Sequence, residues 1–407
     1  MELESLNKLK FNLIYFYLFC LLFISGILLL MLINSLSVSY YEAFKIFNKS
    51  EEFFDLASFL ANLSIKIFPK NDFSLRIPFL ILHFFNVILM FYFSKGFLKK
   101  PSDAFFCAAL FCLLPGVNAS AILVLNSGVV IFFTLIFCLI LQKTNKIFYP
   151  LLILLCFLDK SFALVFLALI FYGIANKNTI LIFISLFLFG LNMYLFGLDI
   201  SGKPKGHFLD NNGHLILIFS PLVFLYFLYT IYRYFNSKNK PLVWYIASVT
   251  LGFIWIISFR QRVRVEDFAP LLLVALPLMI KLYFSGLRVR LPRFRARYKI
   301  PFILAFLMLV LTSATLFLSK PLFLLTNEHF ATQHFLAKEL AQNLKSRGIT
   351  HIRTLEKLQI RLKFYGIEKG DKNARILSEH RLLGNKFKPQ KIPLFYYNKQ
   401  VAEYYLY

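Results

Sequence analysis

The chain has 407 residues, 59% of them apolar and 51 of them Phe, with a formal net charge of +25. A mean hydropathy of +0.68 is far above what one soluble core needs, and excludes an ordinary soluble domain, which would aggregate through exposed apolar patches. Basic residues in so apolar a chain record topology and contact with anionic lipid, so nucleic acid is excluded as the expected partner.

In chain order, eleven apolar stretches predict membrane-spanning helices: Phe11–Ile33, Ile77–Phe93, Ala104–Val117, Ala121–Leu141, Ile147–Leu158, Phe162–Ala175, Thr179–Phe196, His214–Tyr234, Leu242–Ser258, Phe268–Phe284 and Pro301–Leu318. Roughly 20 apolar residues cross the hydrocarbon layer, so the shorter stretches point to helices that stop within the membrane or line a cavity. The first stretch is too long for a cleavable signal and no small-residue cleavage site follows it. The five cysteines (Cys20, Cys107, Cys112, Cys138, Cys156) all fall inside apolar runs and read as small core residues.

The Lys/Arg bias of short loops orients the chain. With the N-terminus inside, the cytoplasmic loops hold Lys95, Lys99 and Lys100, then Lys143 and Lys146, Lys177, Arg233, Lys238 and Lys240, and finally Arg288 through Lys299. The connections 34–76, 197–213 and 260–267 then lie outside, as does everything after Leu318. The first outer loop is amphipathic: Tyr40–Phe47 and Phe53–Phe68 space apolar residues as helices do, with charges between them. Such helices lie along a membrane surface.

Beyond Pro321 the chain turns polar and basic. A helix is expected over His329–Ser346, ended by Arg347-Gly348, with strands at His351–Thr354, Ala374–Leu377, Pro393–Asn398 and Val401–Tyr407. The expected architecture is thus an all-α polytopic membrane domain over residues 1–320, with surface helices in its first periplasmic loop (34–76). A small basic α/β extracytoplasmic domain follows over 321–407.

Soluble-enzyme motifs are missing. There is no GxGxxG, GxxxxGK[ST], HExxH, GxSxG or CxxC, and the seven His are scattered. No metal site is therefore expected from His or Cys spacing. What remains is charge at the outer face. Carboxylates there are Glu42, Glu51, Glu52, Asp55, Asp72, Asp159, Asp199, Asp210, Glu266 and Asp267; cations are Lys160, Lys203, Lys205, Arg260, Arg262 and Arg264. Arg260, Arg262 and Arg264 run against the positive-inside trend, so orientation does not explain them. A local anion does, either an ordinary headgroup or a specifically held lipid phosphate, which Arg recognises bidentately.

Three strings carry a resemblance. Tyr41-Glu42-Ala43-Phe44 follows the first span, Asn71-Asp72-Phe73-Ser74-Leu75-Arg76-Ile77-Pro78 opens the second, and Asp159-Lys160-Ser161 lies midway. Over about the first 175 residues the chain resembles the GT-C superfamily of membrane glycosyltransferases, in its protein O-mannosyltransferase and aminoarabinose-transferase branch. The resemblance implies a sugar donor linked to polyprenyl phosphate, transfer to a periplasmic lipid, glycan or protein, and a multi-pass protein of the bacterial inner membrane. It implies Glu42 as the base, with Asp55, Glu51 and Glu52 as alternatives, and Arg76 as an anchor of the loop. Lys160 is the matching mid-chain phosphate-binding Lys. Arg260, Arg262, Arg264, Lys203 and Lys205 lie where phosphate contacts would be useful. A divalent metal is left open. The sequence also departs from the family: the acidic motif's leading Asp is Tyr41, Asp55–Ile65 stands without Pro in place of the His/Lys-Pro-Pro string usual later in that loop, and the acidic residue usual in the fourth helix stands as Asn126. A non-catalytic polyprenyl-lipid-binding relative and a transporter of lipid-linked glycans are the alternatives. The transporter would show charges within its spans, and these spans are nearly free of them.

Overall fold

The computed structural model describes residues 2–47, 55–197, 206–326, 329–371, 374–381 and 389–407, with side chains from residue 13 onward. The chain is mostly helical. In order, the helices are α1 (Glu2–Ser35), α2 (Tyr40–Phe47), α3 (Leu56–Ile67), α4 (Asp72–Lys95), α5 (Pro101–Leu113), α6 (Pro115–Ile122), α7 (Ser127–Thr144), α8 (Tyr149–Cys156) and α9 (Phe162–Ala175). They continue as α10 (Thr179–Phe196), α11 (Phe208–Phe219), α12 (Pro221–Phe235), α13 (Leu242–Ser258), α14 (Val265–Leu273), α15 (Leu276–Val289) and α16 (Pro292–Phe317), and then α17 (Ala337–Ser346) and α18 (Glu356–Phe364). Among the described residues, strands β1 (His351–Ile352), β2 (Glu368–Lys369), β3 (Leu377–Ser378), β4 (Gln390–Tyr396) and β5 (Lys399–Leu406) occur only near the C-terminus.

Among the described residues five helical segments are long and apolar enough to cross a bilayer unaided: Leu13–Ser35, Asp72–Lys95, Ser127–Thr144, Thr179–Phe196 and Pro292–Phe317. Three bent pairs raise the number to eight if each pair is one span: α5 with α6 (61°), α11 with α12 (103°) and α14 with α15 (42°). Proline accounts for each break. Pro115, Pro221 and Pro277 stand in the first turn of the second helix of each pair. There the ring cannot donate to the carbonyl four residues back and clashes with it, while its fixed φ suits a helix start. At the sharpest bend Ser220 takes a left-handed φ of 75°, which turns the chain before Pro221. These chain breaks divide stretches that read as continuous in the sequence, notably Ala104–Val117, His214–Tyr234 and Phe268–Phe284. The basic run also differs from the loop its charge suggests, because Arg293 to Lys299 form the first turns of α16. Arg288 pairs with the buried Asp103 of α5.

The chain divides into two compact units. The first comprises Met1–Leu29, Glu52–Phe59 and Pro78–Ala314. Its core is the stretch where α7, α9, α13 and α14 pack, and Phe162, Phe166, Leu169, Ile254, Leu271 and Leu276 are fully buried there. At its other extreme α10 leaves Phe183 (71%), Phe187 (69%) and Tyr194 (86%) exposed. Rings left so bare on an apolar helix find their partners in lipid rather than water, and several such helices mark the chain as a multi-pass membrane protein.

The second unit comprises Leu30–Glu51, Leu60–Ile77 and Thr315–Tyr407. Here the loop that follows the first apolar helix and the C-terminal segment fold as one body. Ser37 N–H donates to the His334 carbonyl (2.8 Å), and Arg361 Nε donates to the Val38 carbonyl (2.9 Å). The core of this unit is Leu340, Leu344, Ile352, Leu362, Ile367, Leu377, Ile392 and Leu406. Strand β1 pairs with β2 in parallel, and the order β3-β5-β4 is antiparallel. The helix expected over His329–Ser346 begins only at Ala337, after short 3₁₀ turns and a left-handed Leu336 (φ 73°). Helix α18, which packs its Leu358 and Leu362 inward, was not expected from the sequence.

Candidate functional site

Four helix N-termini of the first unit meet in one polar cluster. Asp55 precedes α3 and accepts from the backbone N–H groups of Ala57 (3.2 Å) and Ser58 (3.4 Å) and from Ser58 Oγ (2.6 Å). This is an N-cap, which short acidic side chains favour because they satisfy otherwise orphaned donors. Asn126 precedes α7; its Oδ1 accepts from Ala57 N–H (2.8 Å), and its Nδ2 donates to Asp159 Oδ2 (2.8 Å). Ser161 precedes α9, and its hydroxyl lies 2.8 Å from the Asp267 carbonyl. Arg264 precedes α14, whose first turn carries Glu266 and Asp267. Ser127 Oγ closes the circuit on the Glu266 carbonyl (3.1 Å). Each helix start brings partial positive charge and unpaired N–H groups, so their convergence suits anions.

Two cations share one carboxylate in this cluster. Lys160 Nζ lies 3.0 Å and Arg264 Nε 3.5 Å from Asp267 Oδ2. Exposure rises outward from the buried Asp159 and Lys160, through Asp267 (25%), to Arg264 (51%). Arg260 and Arg262 are exposed on the same short connection, and Val263 and Val265 turn inward. The alternation from Arg262 to Val265 is that of an extended segment, which presents Arg262 and Arg264 on one side.

The state of Asp159 follows from counting protons. Its Oδ1 lies 2.8 Å from Ser161 N–H and also within hydrogen-bond reach of Ser161 Oγ. A hydroxyl has one proton, and the Asp267 carbonyl can only accept it. Both contacts of Ser161 Oγ are made together only when Asp159 carries a proton of its own. Burial drives its carboxyl up to about 6; the Ser161 bonds and Lys160 oppose the rise, and Asp267 adds to it. A carboxyl whose folded value is raised contributes stability below its unfolded value, near 3.8, and loses that contribution as pH rises through about 6. The shift corresponds to roughly 3 kcal/mol at about 1.4 kcal/mol per unit. Asp159→Asn, which mimics the protonated form, is expected to flatten the fall in thermal stability between pH 4 and pH 7. Parallel slopes for wild type and variant in pH-resolved melting would refute a protonated Asp159.

Glu42 and Arg76 belong to the second unit. Arg76 is fully buried at the start of α4; its NH2 group donates to the Ser37 carbonyl (3.2 Å) and to Glu42 Oε2 (3.3 Å), and its NH1 to the Leu36 carbonyl (3.4 Å). The guanidinium thus holds the loop at residues 36, 37 and 42. Glu42 also accepts from Ser39 N–H (2.8 Å), and Ser39 Oγ caps Glu42 N–H in return (3.3 Å). Burial pushes the Glu42 carboxyl up, but Arg76, His334 and the Ser39 bonds outweigh it, so it lies below its usual range. A carboxylate held this way serves the loop's shape and is a weak base. The neighbouring Tyr41 is 70% exposed.

Of the other expected site residues, Glu51, Glu52, Lys203 and Lys205 lie outside the described residues. The structure brings Asp55, Lys160 and Arg264 together through Asn126, Asp159 and Asp267. Among the described residues no three His, Cys, Asp or Glu side chains are grouped to hold a metal ion. Asp267 and Asn126 gain their importance from position alone. Helix-start spacing after the Arg-rich stretch was the available signal for Asp267, and the distance of more than 100 residues to Ser161 hid its partner. No family model matches the chain, and a search of curated proteins finds no match either.

Proposed function

We propose that the protein is a membrane glycosyltransferase that moves a sugar from a polyprenyl-phosphate-linked donor to an acceptor at the outer face of a bacterial inner membrane. The observation that carries this reading is the meeting of four helix N-termini around Lys160, Arg264 and Asp267. In this reading all eleven apolar stretches cross or enter the membrane, the N-terminus is cytoplasmic, and the cluster and second unit are periplasmic.

The chemistry follows from the parts. Transfer requires an acceptor hydroxyl or amine to attack the anomeric carbon while the bond to the lipid phosphate breaks. Asp267, partly exposed and next to both cations, takes the acceptor's proton. Lys160 and Arg264 turn from Asp267 to the departing phosphate and stabilise its charge, with the helix starts aiding them. Arg260 and Arg262, exposed on the same connection, receive the headgroup first. Asp159 holds Asn126 and Ser161 in place, so it is a positioning residue. Glu42 is reassigned from base to loop scaffold. The three strings that resemble those of GT-C enzymes support the same reading.

The direct test uses the full chain purified into lipid nanodiscs, a panel of polyprenyl-phosphate sugars with radiolabelled sugar, and an envelope extract as acceptor. Label is expected to move from the lipid into the extract for at least one donor. Release of no label from any donor sinks the reading; in sealed proteoliposomes, label carried across the bilayer with its lipid bond intact identifies a transporter instead.

A further inference from the structure

The second unit holds a cleft of about 560 Å³, lined by Lys70, Asp72, Phe73, Lys338, Lys345 and Tyr365, among others. Its charges do not balance. Asp72, buried at the start of α4, accepts from Tyr365 Oη (2.6 Å) and pairs with Lys338 (3.3 Å). Tyr365 Oη in turn accepts from Val38 N–H (2.9 Å). The carboxylate is therefore already neutralised, and the charges of Lys70 and Lys345 remain. Among the described residues no carboxylate pairs with either of them, nor with Lys363 close by.

The ammonium groups are gathered where like charges should repel. Lys70 and Lys363 both approach the ring of Phe47, at 4.8 and 4.7 Å from its centroid, and Lys70 also lies 5.3 Å from that of Phe364. Burial first and then the charge of Lys363 lower the Lys70 ammonium below its usual range, as expected of positive potential left without a counter-ion. On the other wall Lys345 Nζ lies 3.4 Å from where a Cβ of Gly366 would stand. Glycine, required there by a φ of +80°, leaves space beside the ammonium. The cleft also reaches the start of α4, where Asn71 Oδ1 accepts from Ser74 N–H (2.7 Å) and the first N–H groups of the helix favour negative charge.

We infer that this cleft is a phosphate-binding site, one that takes a mono- or diphosphate group through Lys70, Lys345 and Lys338. It shares no residue with the Lys160–Asp267 cluster and does not depend on the reading of that cluster. Phosphate fits better than carboxylate because three separated ammonium groups can each meet a different oxygen, and Lys acts on phosphate as a point charge. The phosphate is borne by a soluble sugar or nucleotide, or by a lipid headgroup.

The full chain in zwitterionic nanodiscs is titrated by calorimetry with inorganic pyrophosphate, and separately with dihexanoyl phosphatidic acid below its micelle concentration. Pyrophosphate is expected to bind. Lys70→Gln and Lys345→Gln each weaken it about tenfold and together about a hundredfold, one charge-assisted hydrogen bond apiece. Lys357→Gln, on α18 outside the cleft, leaves binding unchanged. Lys70 and Lys345 both reach solvent, so melting temperatures are expected to stay at the wild-type value. Tighter binding of the phosphatidic acid assigns the site to a lipid phosphate, and tighter pyrophosphate binding assigns it to a soluble one. No binding of either probe overturns the inference, as does a double variant that binds as wild type does.

Discussion

In the proposed transfer reaction, Asp267→Asn is expected to lower the rate by about 10²–10⁴-fold, the usual contribution of a positioned general base. The donor KM should hold or fall. Asp267 is the carboxylate that occupies Lys160 and Arg264 in the resting structure, at 3.0 and 3.5 Å. Its neutral isostere releases both cations to a phosphate without emptying the space. Substrate would then bind at least as well while the attack loses its proton acceptor, and the two kinetic parameters part company. Steady-state kinetics with varied polyprenyl-phosphate sugar read both. A raised KM with kcat intact would mean that Asp267 only orients the cations. Unchanged kinetics would move the base elsewhere.

Arg76→Met should destabilise the second unit by about 3–5 kcal/mol, the range for removing one partner of a buried ion pair. The loss exceeds that of the pair itself, because Glu42 is 3% exposed and would be left charged without its partner, and two loop carbonyls would lose a donor. Replacing both, as Arg76→Met with Glu42→Leu, is expected to recover part of the loss, since no charge is then stranded. The pair also sets an acid limit. The folded Glu42 carboxyl lies below its usual 4.5, so its contribution is complete above that value and disappears as pH falls through the folded one. Glu42→Gln should therefore lose stability at pH 7 and converge with wild type toward pH 3. Melting of the full chain in detergent, followed across pH, checks both. Equal gaps between Glu42→Gln and wild type at pH 7 and pH 3 would rule out a charge-based role.

The apolar helices were legible because hydropathy alone dictates them, and the ranges of α9, α10 and α13 coincide with the stretches read from the sequence. Breaks were harder. Pro221 inside an apolar run can kink a helix or end it, and only the positive φ of Ser220 decides for a bend of 103°. The α2 helix followed from its spacing of apolar residues, whereas α18 was hidden because Leu358, Ile360, Leu362 and Phe364 recur at every second position, a strand's period rather than a helix's. For the site, local strings were enough to raise Lys160, Arg76 and Arg264. They could not separate a carboxylate that scaffolds from one that reacts. Glu42 and Asp267 are both acidic residues in outer connections, and what distinguishes them is burial against Arg76 in one case and partial exposure beside two cations in the other. Neither property is written in fewer than 30 residues of sequence.

The composite nature of the second unit has a consequence for biosynthesis. Val38 N–H bonds to Tyr365 Oη across 327 positions, and Arg361 returns to Val38 across 323. At 5–20 residues per second the early segment waits roughly 15–65 s for its partners to be translated. During that interval Arg76 and Glu42 have each other but neither Tyr365 nor Arg361 to close over the loop. The nascent chain thus carries an unfinished surface for most of its synthesis, and a ribosome that stalls late leaves an inserted bundle whose first loop never matures. Quality control of this protein is accordingly expected to act on completion of translation rather than on insertion of its helices.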